Sequence, residues 1–566
     1  MIEFLLLIAL VLALGWPLGR YLAAVMRGAP MRGDAVFGRI ERPLYRLFGV
    51  DPAQGMGWKA YATAFLASNL VVGGLVWAVF MTQAWLPLNP NDAPNMRWDL
   101  ALHTMVSFLT NTNQQHYSGQ AQLSHLAQMT GIVGLQVITP MMGLALVVAT
   151  LRGFFGGRGD QAATPAAGDA DVGNYWADVL RPTVRVMLPL CLAWSLLLTW
   201  QGVPSTLQGG PVATPIDTTA QMAEQKIPVG PVAAMVAAKQ LGSNGGGWYG
   251  PNSAVPLENP TPFANVLETL AILLIPVGVA FMVSAFTGRR KFTALVVGTM
   301  MAMWIATSAL AIWFESHTAP VQDIALMEGK EVRIGADASA LWAATTTAVN
   351  NGSVNAMLDS AAPLTGLVAM GNMLVNAVWG GVGCGLQQFL VYLLLSVFLA
   401  GLMTGRTPEL FGRKIEAHEV KLLAVLVLLQ PLALLAFTAI TLAVPSITGN
   451  SNPDFHGISQ VFYEYASAFA NNGSGFEGLG DATYWWNLST TLMLLLGRYP
   501  ALVIPLAIAA SLARKRVAPD GVGTLQIETP TFALTLIAVV VILTLLQFMP
   551  VLVLGPVADH LALIAS

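Results

Sequence analysis

Ten stretches of this chain stay apolar for about 20 residues or more, the length that carries a helix across a bilayer: 2–26, 58–81, 129–151, 176–200, 263–286, 292–314, 363–404, 420–444, 484–513 and 532–554. In hydrocarbon every backbone N–H and C=O has to be satisfied internally, so these stretches must be helices and the chain an all-α polytopic membrane protein. Composition agrees: of 566 residues 55% are apolar and 10% charged, with a mean hydropathy of +0.63, far from a soluble average. A formal net charge of -3 argues against nucleic acid as a partner. Cys191 and Cys384 both fall in apolar stretches, which supports neither a disulfide framework nor a thiolate metal site. The first stretch has no basic region ahead of it and no small-residue cleavage pattern after it, so it reads as a retained helix.

Four intervals between these stretches share a second feature. Each holds a short semi-apolar run (100–109, 232–241, 339–348, 458–469) followed by small polar residues and, in three of the four, glycine: Thr110-Asn-Thr-Asn113, Ser243-Asn-Gly-Gly-Gly247, the run Thr-Thr-Thr-Ala-Val-Asn-Asn-Gly-Ser-Val-Asn at 345–355, and Ala470-Asn-Asn-Gly-Ser474. Irregular backbone at membrane depth is tolerated only where it lines water or protein. Span, half-helix, loop, span is thus a unit used four times. The expected fold is four parallel helix/pore-loop/helix repeats around a central pore, with one extra transmembrane helix at each end. The expected divisions are an N-terminal helix and loop (1–57), repeats at 58–155, 176–290, 291–418 and 419–516, a Gly/Ala/Asp-rich mobile linker at 156–175, and a C-terminal helix at 517–566.

Basic residues set the orientation. Arg27, Arg32, Arg39, Arg42, Arg46 and Lys59, then Arg152 and Arg158, Arg289, Arg290 and Lys291, Arg406, Arg413 and Lys414, and Arg514, Lys515 and Arg516 all fall in alternate loops. By the positive-inside rule these loops are cytoplasmic, and the four re-entrant loops and both termini face outside.

An alkali cation leaving water needs close oxygen ligands, which rings of backbone carbonyls supply. The candidate ring is Asn111, Thr112 and Asn113; Asn244, Gly245 and Gly246; Asn351, Gly352 and Ser353; Asn472, Gly473 and Ser474. Glycine admits the dihedrals such a ring demands. The loops carry no charge, whereas a calcium or magnesium site would want carboxylates. Ordinary Asn/Gly turns are the competing reading for any one loop, and recurrence at four equivalent places favours the pore.

Thr110-Asn-Thr-Asn-Gln-Gln-His-Tyr-Ser-Gly119, Asn244-Gly-Gly-Gly247 with Asn252-Ser and Glu258-Asn-Pro260, Gly380-Gly-Val-Gly383, Gly405-Arg-Thr-Pro-Glu409 and Asn471-Asn-Gly-Ser474 closely resemble the potassium-binding subunits of bacterial Kdp potassium-transporting P-type ATPases. The resemblance spans essentially the whole chain, in order. It implies the fold of the potassium transporters descended from channels, and a division of labour. This chain would select external potassium and pass it through an intramembrane tunnel to a separate P-type ATPase subunit, with two small companion subunits, in the bacterial inner membrane. Potassium is then the transported ligand, and no cofactor is expected. The chain has no Asp-Lys-Thr-Gly motif and no Walker lysine loop, so ATP hydrolysis falls to another subunit. The alternative is a stand-alone channel or cation symporter of the same superfamily, for which eight spans rather than ten would be the signature. The resemblance leads one to expect an aromatic where Gln114 stands, and a serine or threonine and a cysteine where Asn350 and Asn351 stand. Gln115, beside the first loop, is expected to shape or to support the ion site.

The seventh stretch is too long for one crossing and is interrupted by Gly380, Gly381, Gly383 and Gly385. Each glycine costs a helix about 1 kcal/mol relative to alanine, so two half-helices joined by a loop beneath the third filter segment are expected. The resemblance makes that loop a gate, and close helix packing is the competing reading. Arg498 lies mid-span among apolar residues. Such a charge faces the bundle interior or a wet cavity, either as a positive barrier below the filter or as a cap for buried carbonyls. Glu258, Asp359 and Glu477 follow loops two, three and four, where they line an outer vestibule or cap the next helix. The seven histidines form no spaced cluster, and His103, His116 and His125 read as packing or interface residues rather than ligands.

Overall fold

The computed structural model describes residues 2–156, 170–217, 219, 222–318, 324–519, 521 and 524–565. Among these residues ten helices are long and apolar enough to cross a membrane: Ile2–Arg27, Trp58–Trp85, Ala127–Phe155, Tyr175–Gln201, Pro262–Thr287, Arg290–His317, Cys384–Met403, Ala417–Ala443, Tyr484–Ala513 and Pro530–Ala565. Their starts follow local chemistry. Thr261, Thr483 and Thr529 each accept an N-terminal amide of the helix that follows, and Glu416 and Glu419 form a reciprocal capping box. Residues 157–169, most of the expected linker, lie outside the described residues.

Four shorter helices precede the polar loops: Trp98–Leu109, Val232–Leu241, Ala336–Val349 and Asp454–Ala470. The long seventh stretch is divided, as its glycines require, into Pro363–Val375 and Cys384–Met403. The all-α class, the ten spans and the four pore-loop hairpins expected above are all present. Two antiparallel two-residue ribbons, Val212–Ala213 with Gln225–Lys226 and Glu409–Leu410 with Arg413–Lys414, are the strands among the described residues.

The third and fifth spans form the centre, with 83% and 89% of their most apolar windows buried, against 28% for the first and last spans. The first span reaches the fifth through small residues. A Cβ on Gly19 would stand 2.6 Å from the Gly278 carbonyl oxygen, so the two backbones nearly touch there.

One element departs from expectation. The basic stretch after the first span holds a helix, Asp34–Leu47, whose Asp34 and Glu41 both grip Arg185, at 2.5 Å each for the closest contacts. The charge pattern reads as a loop because the partner of its acids lies in the fourth span, far along the chain.

Candidate functional site

Each pore helix ends in a non-glycine residue with left-handed backbone: Asn111 (φ 63°), Ser243 (50°), Asn350 (55°) and Asn471 (56°). Asparagine tolerates that conformation better than most side chains. The next amide then folds back on its own helix: Thr112 N to Ser107 O at 2.9 Å, Asn244 N to Lys239 O at 3.2 Å, Asn351 N to Thr346 O at 2.8 Å and Asn472 N to Ser467 O at 2.9 Å. A second left-handed residue follows in each loop: Asn113 (59°), Gly245 (63°), Gly352 (86°) and Gly473 (106°). The four quadrants share one backbone course.

They also close on one another. A Cβ on Gly245 would lie 2.0 Å from Asn351 O, one on Gly352 2.1 Å from Asn472 O, and one on Gly473 2.1 Å from Thr112 O. The circuit is completed by a side chain, since Asn113 Nδ2 donates to Gly245 O at 2.6 Å. The asparagine side chains are committed elsewhere. Asn351 Nδ2 donates to Lys239 O at 3.0 Å and Asn472 Nδ2 to Thr346 O at 3.1 Å, while their Oδ1 atoms accept the amides of Ser353 and Ser474 at 3.0 and 2.8 Å. Asn244 Nδ2 donates to Gln136 O at 2.9 Å. The Ser353 and Ser474 hydroxyls turn back onto their own loop's asparagine. Thr112, Asn244, Asn351 and Asn472 are fully buried, and among the described residues no group donates to any of their four carbonyls. Buried carbonyls are nearly always paired, so a set of four unpaired ones, one per quadrant, invites a cation. The side chain of Asn351 is thus engaged through both its polar atoms, so that residue offers its backbone, whereas Asn350 Oδ1 has no partner among the described residues.

Gly246 (φ 76°) rests against Asn113, whose Cβ is 3.1 Å from where its own would be. Gln115 clamps loop one to loop two, donating to Gly247 O at 3.0 Å and accepting from Gly247 N at 2.8 Å.

Beneath the ring is a small cavity lined by Asn111, Ser243, Asn350 and Asn471 above, and by Asn376, Gly380, Gly381, Cys384 and Arg498. The loop between the halves of the seventh stretch forms its floor. Trp379 N and Gly380 N both donate to Ala348 O at 2.9 Å, sealing the end of the third pore helix. Asn376, which the sequence did not single out, accepts from Asn350 Nδ2 at 2.6 Å and donates to Ala470 O at 3.3 Å. Gly380, Gly381 and Gly383 all have positive φ, and a Cβ on Gly383 would stand 2.4 Å from Gly143 O. Gly385 is in the first turn of the following helix rather than in the loop, pressed against Trp379 O. Arg498 is 4% exposed and donates to Cys384 Sγ at 2.6 Å and Thr139 O at 3.5 Å; among the described residues no carboxylate pairs with it. Its charge therefore stands beneath the ring uncompensated by a nearby anion.

The acids after the loops differ: Glu258 and Asp359 are drawn into internal pairs, while the exposed Glu477 caps the one-turn helix Leu358–Ser360 of the third hairpin rather than the helix that follows it. Glu258 is fully buried and pairs with Lys239 of the second pore helix, whose Nζ also donates to Ser253 Oγ at 2.8 Å. Ser353 Oγ donates to Gln240 Oε1 at 2.9 Å, and Gln240 Nε2 to Glu268 Oε2 at 2.8 Å, tying loop three to the same network. Asp359 accepts from His456, at 3.0 Å, and from Gln460, at 2.8 Å. Glu477 accepts the amides of Leu358 and Asp359 at 2.9 and 3.3 Å.

The histidines do more than pack. His103 and His116 stack with centroids 3.8 Å apart, and His116 sits 3.2 Å from Glu464 and 3.9 Å from Asp481. Burial opposes its protonation, but Asp481 and Glu464 outweigh that and raise it to about 8. No spacing rule reveals this cluster, because Glu464 and Asp481 come from the fourth hairpin. His125 stands apart, against Trp248.

Four pore-loop hairpins in one chain, meeting in a ring of unpaired carbonyls above a small cavity, define a single-chain pore-loop membrane protein. The profile of the family described as "Potassium-transporting ATPase A subunit" matches residues 5–561. The chain is 45% identical over 562 residues to the potassium-transporting ATPase potassium-binding subunit of Gloeobacter violaceus, covering 97% of this chain and 96% of that one. It is 44% identical over 554 residues to the Pseudomonas putida protein of the same name, covering 96% of each. The chain belongs to the potassium-transporting ATPase A subunit family. Among solved structures, the crystal structure of the potassium transporter TrkH from Vibrio parahaemolyticus aligns with a TM-score of 0.49 at 15% identity, over 87% of this chain and 97% of that one.

Proposed function

We propose that this chain is the potassium-binding, ion-selecting subunit of an ATP-driven, high-affinity potassium uptake complex. The observation that carries the reading is the set of four unpaired buried carbonyls, of Thr112, Asn244, Asn351 and Asn472, in a chain whose relatives are named as potassium-binding subunits. Carbonyl dipoles replace the hydration shell of a monovalent cation without the charge that would trap it. Loop residues 111–113, 244–246, 351–353 and 472–474 make up the filter, with Gln115 as its support. The 376–383 loop and the Arg498 guanidinium then oppose straight passage, since a buried positive charge raises the barrier for a cation. A sideways tunnel to a separate P-type ATPase subunit, with two small companion subunits, is the route that remains. The complex sits in the bacterial inner membrane with both termini of this chain outside. Residues 58–155, 176–290, 291–418 and 419–516 serve as the four quadrants of the filter.

A stand-alone channel or symporter is disfavoured by the near full-length match to ATPase subunits. Purification in mild detergent tests the choice: a co-purifying P-type ATPase whose hydrolysis rises with potassium supports the pump subunit. A chain that purifies alone and conducts potassium in vesicles without ATP would refute it.

A further inference from the structure

We propose that His116 Nε2, Glu464 Oε1 and Asp481 Oδ2 form a site for a divalent cation of the zinc class, beside the first loop and separate from the carbonyl ring. The three ligand atoms lie within 4.8 Å of one another. The case rests on lone pairs. His116 Nδ1 donates to Asn487 Oδ1 at 2.7 Å, and the Asn487 amide is itself oriented by giving its Nδ2 to Asp99 at 2.8 Å. Neutral His116 therefore carries its proton on Nδ1 and turns a bare Nε2 toward two carboxylates, at 3.2 and 3.9 Å. Three acceptors converging in this way need a positive species among them, either a proton or a metal. Gln114 Nε2 takes up one lone pair of the same Glu464 oxygen. Stacked on His116 is the fully buried His103, whose Nδ1 has no hydrogen-bond partner among the described residues.

The donor set selects the ion. One imidazole nitrogen with two carboxylate oxygens suits Zn²⁺ or Co²⁺ better than Mg²⁺ or Ca²⁺, which prefer all-oxygen shells. Two carboxylates neutralise a divalent charge in a buried place, and the Asp99–Asn487 pair supplies the outer hydrogen bonds that orient a ligating histidine. Access exists, because the Asp481 side chain is 29% exposed while His116 and Glu464 lie inward of it, at 0% and 2%.

The test uses the purified complex with all its subunits, titrated with Zn²⁺ against a chromophoric chelator and with Co²⁺ by visible absorption. Wild type should bind one more equivalent than His116→Ala. Asp481→Asn, at the partly exposed ligand, should weaken that equivalent by more than about 100-fold, and Asn487→Ala by about 10- to 100-fold. Melting temperature and subunit stoichiometry of each variant show that it has folded, and binding is read directly, whatever the potassium response. Equal zinc stoichiometry and affinity in wild type, His116→Ala and Asp481→Asn would overturn the site and leave a proton as the cation that His116 holds.

Discussion

Gly352 faces the carbonyl oxygen of Asn472 so closely that a Cβ in its place would lie 2.1 Å from it. The contact joins the third and fourth quadrants of the ring and leaves no room for a side chain.

Gly352→Asp should therefore damage potassium handling. Residue 352 has φ of 86°, a conformation that costs an L-residue about 1–2 kcal/mol before any clash, so apparent potassium affinity should fall by at least about tenfold. The carboxylate adds fixed charge where dipoles coordinate, so discrimination of potassium from sodium and rubidium should fall as well. Potassium-, rubidium- and sodium-stimulated ATPase activity of the assembled complex measures both. A correctly assembled variant with wild-type affinity and selectivity would remove the third loop from the filter.

Arg498→Gln should leave assembly intact and raise passive potassium leak, because it deletes the one charge that borders the cavity beneath the ring among the described residues. Leak and ATPase activity would be compared in the same vesicles. Unchanged leak with normal coupling would give Arg498 a purely structural task.

Lys239→Met should be strongly destabilising. Lys239 and Glu258 are both 0% exposed and paired with each other, and stranding one member of a buried pair costs about 3–5 kcal/mol. Lys239→Met combined with Glu258→Gln should recover much of the loss. Thermal unfolding of the three variants in detergent reads the pattern, and equal losses in single and double variants would contradict it.

His456 gives a pH dependence. Burial works against its charged form, but Asp359 at 3.0 Å and Asp559 at 2.9 Å more than compensate and raise it to about 9. A raised folded-state value means that its stabilisation is complete below the unfolded value, about 6.5, and is lost as pH rises through about 9. The tie between the fourth pore helix and the C-terminal helix should then weaken between pH 6.5 and 9. His456→Gln should flatten this fall in melting temperature, and parallel wild-type and variant curves would exclude the tie.

Much of this was legible in the residues themselves. Ten apolar stretches and four Asn/Gly loops betray the architecture because hydropathy and chain length act locally, and the broken seventh span followed from glycines within six residues of one another. What stayed hidden depends on residues remote in the chain. Glu258 looks like a surface acid until Lys239 is placed beside it. Asn376 looks like a loop asparagine until Asn350 and Ala470 meet it. His116 shows its carboxylate neighbours only when the fourth hairpin folds against the first.

Three quadrants of the ring use glycine at the second left-handed position, and one uses Asn113, which reaches across to Gly245. A channel assembled from four identical chains meets every substitution four times over. Here a change strikes one quarter of the circumference, so the ring can be retuned in single steps, with three sides left as they are while the fourth is altered.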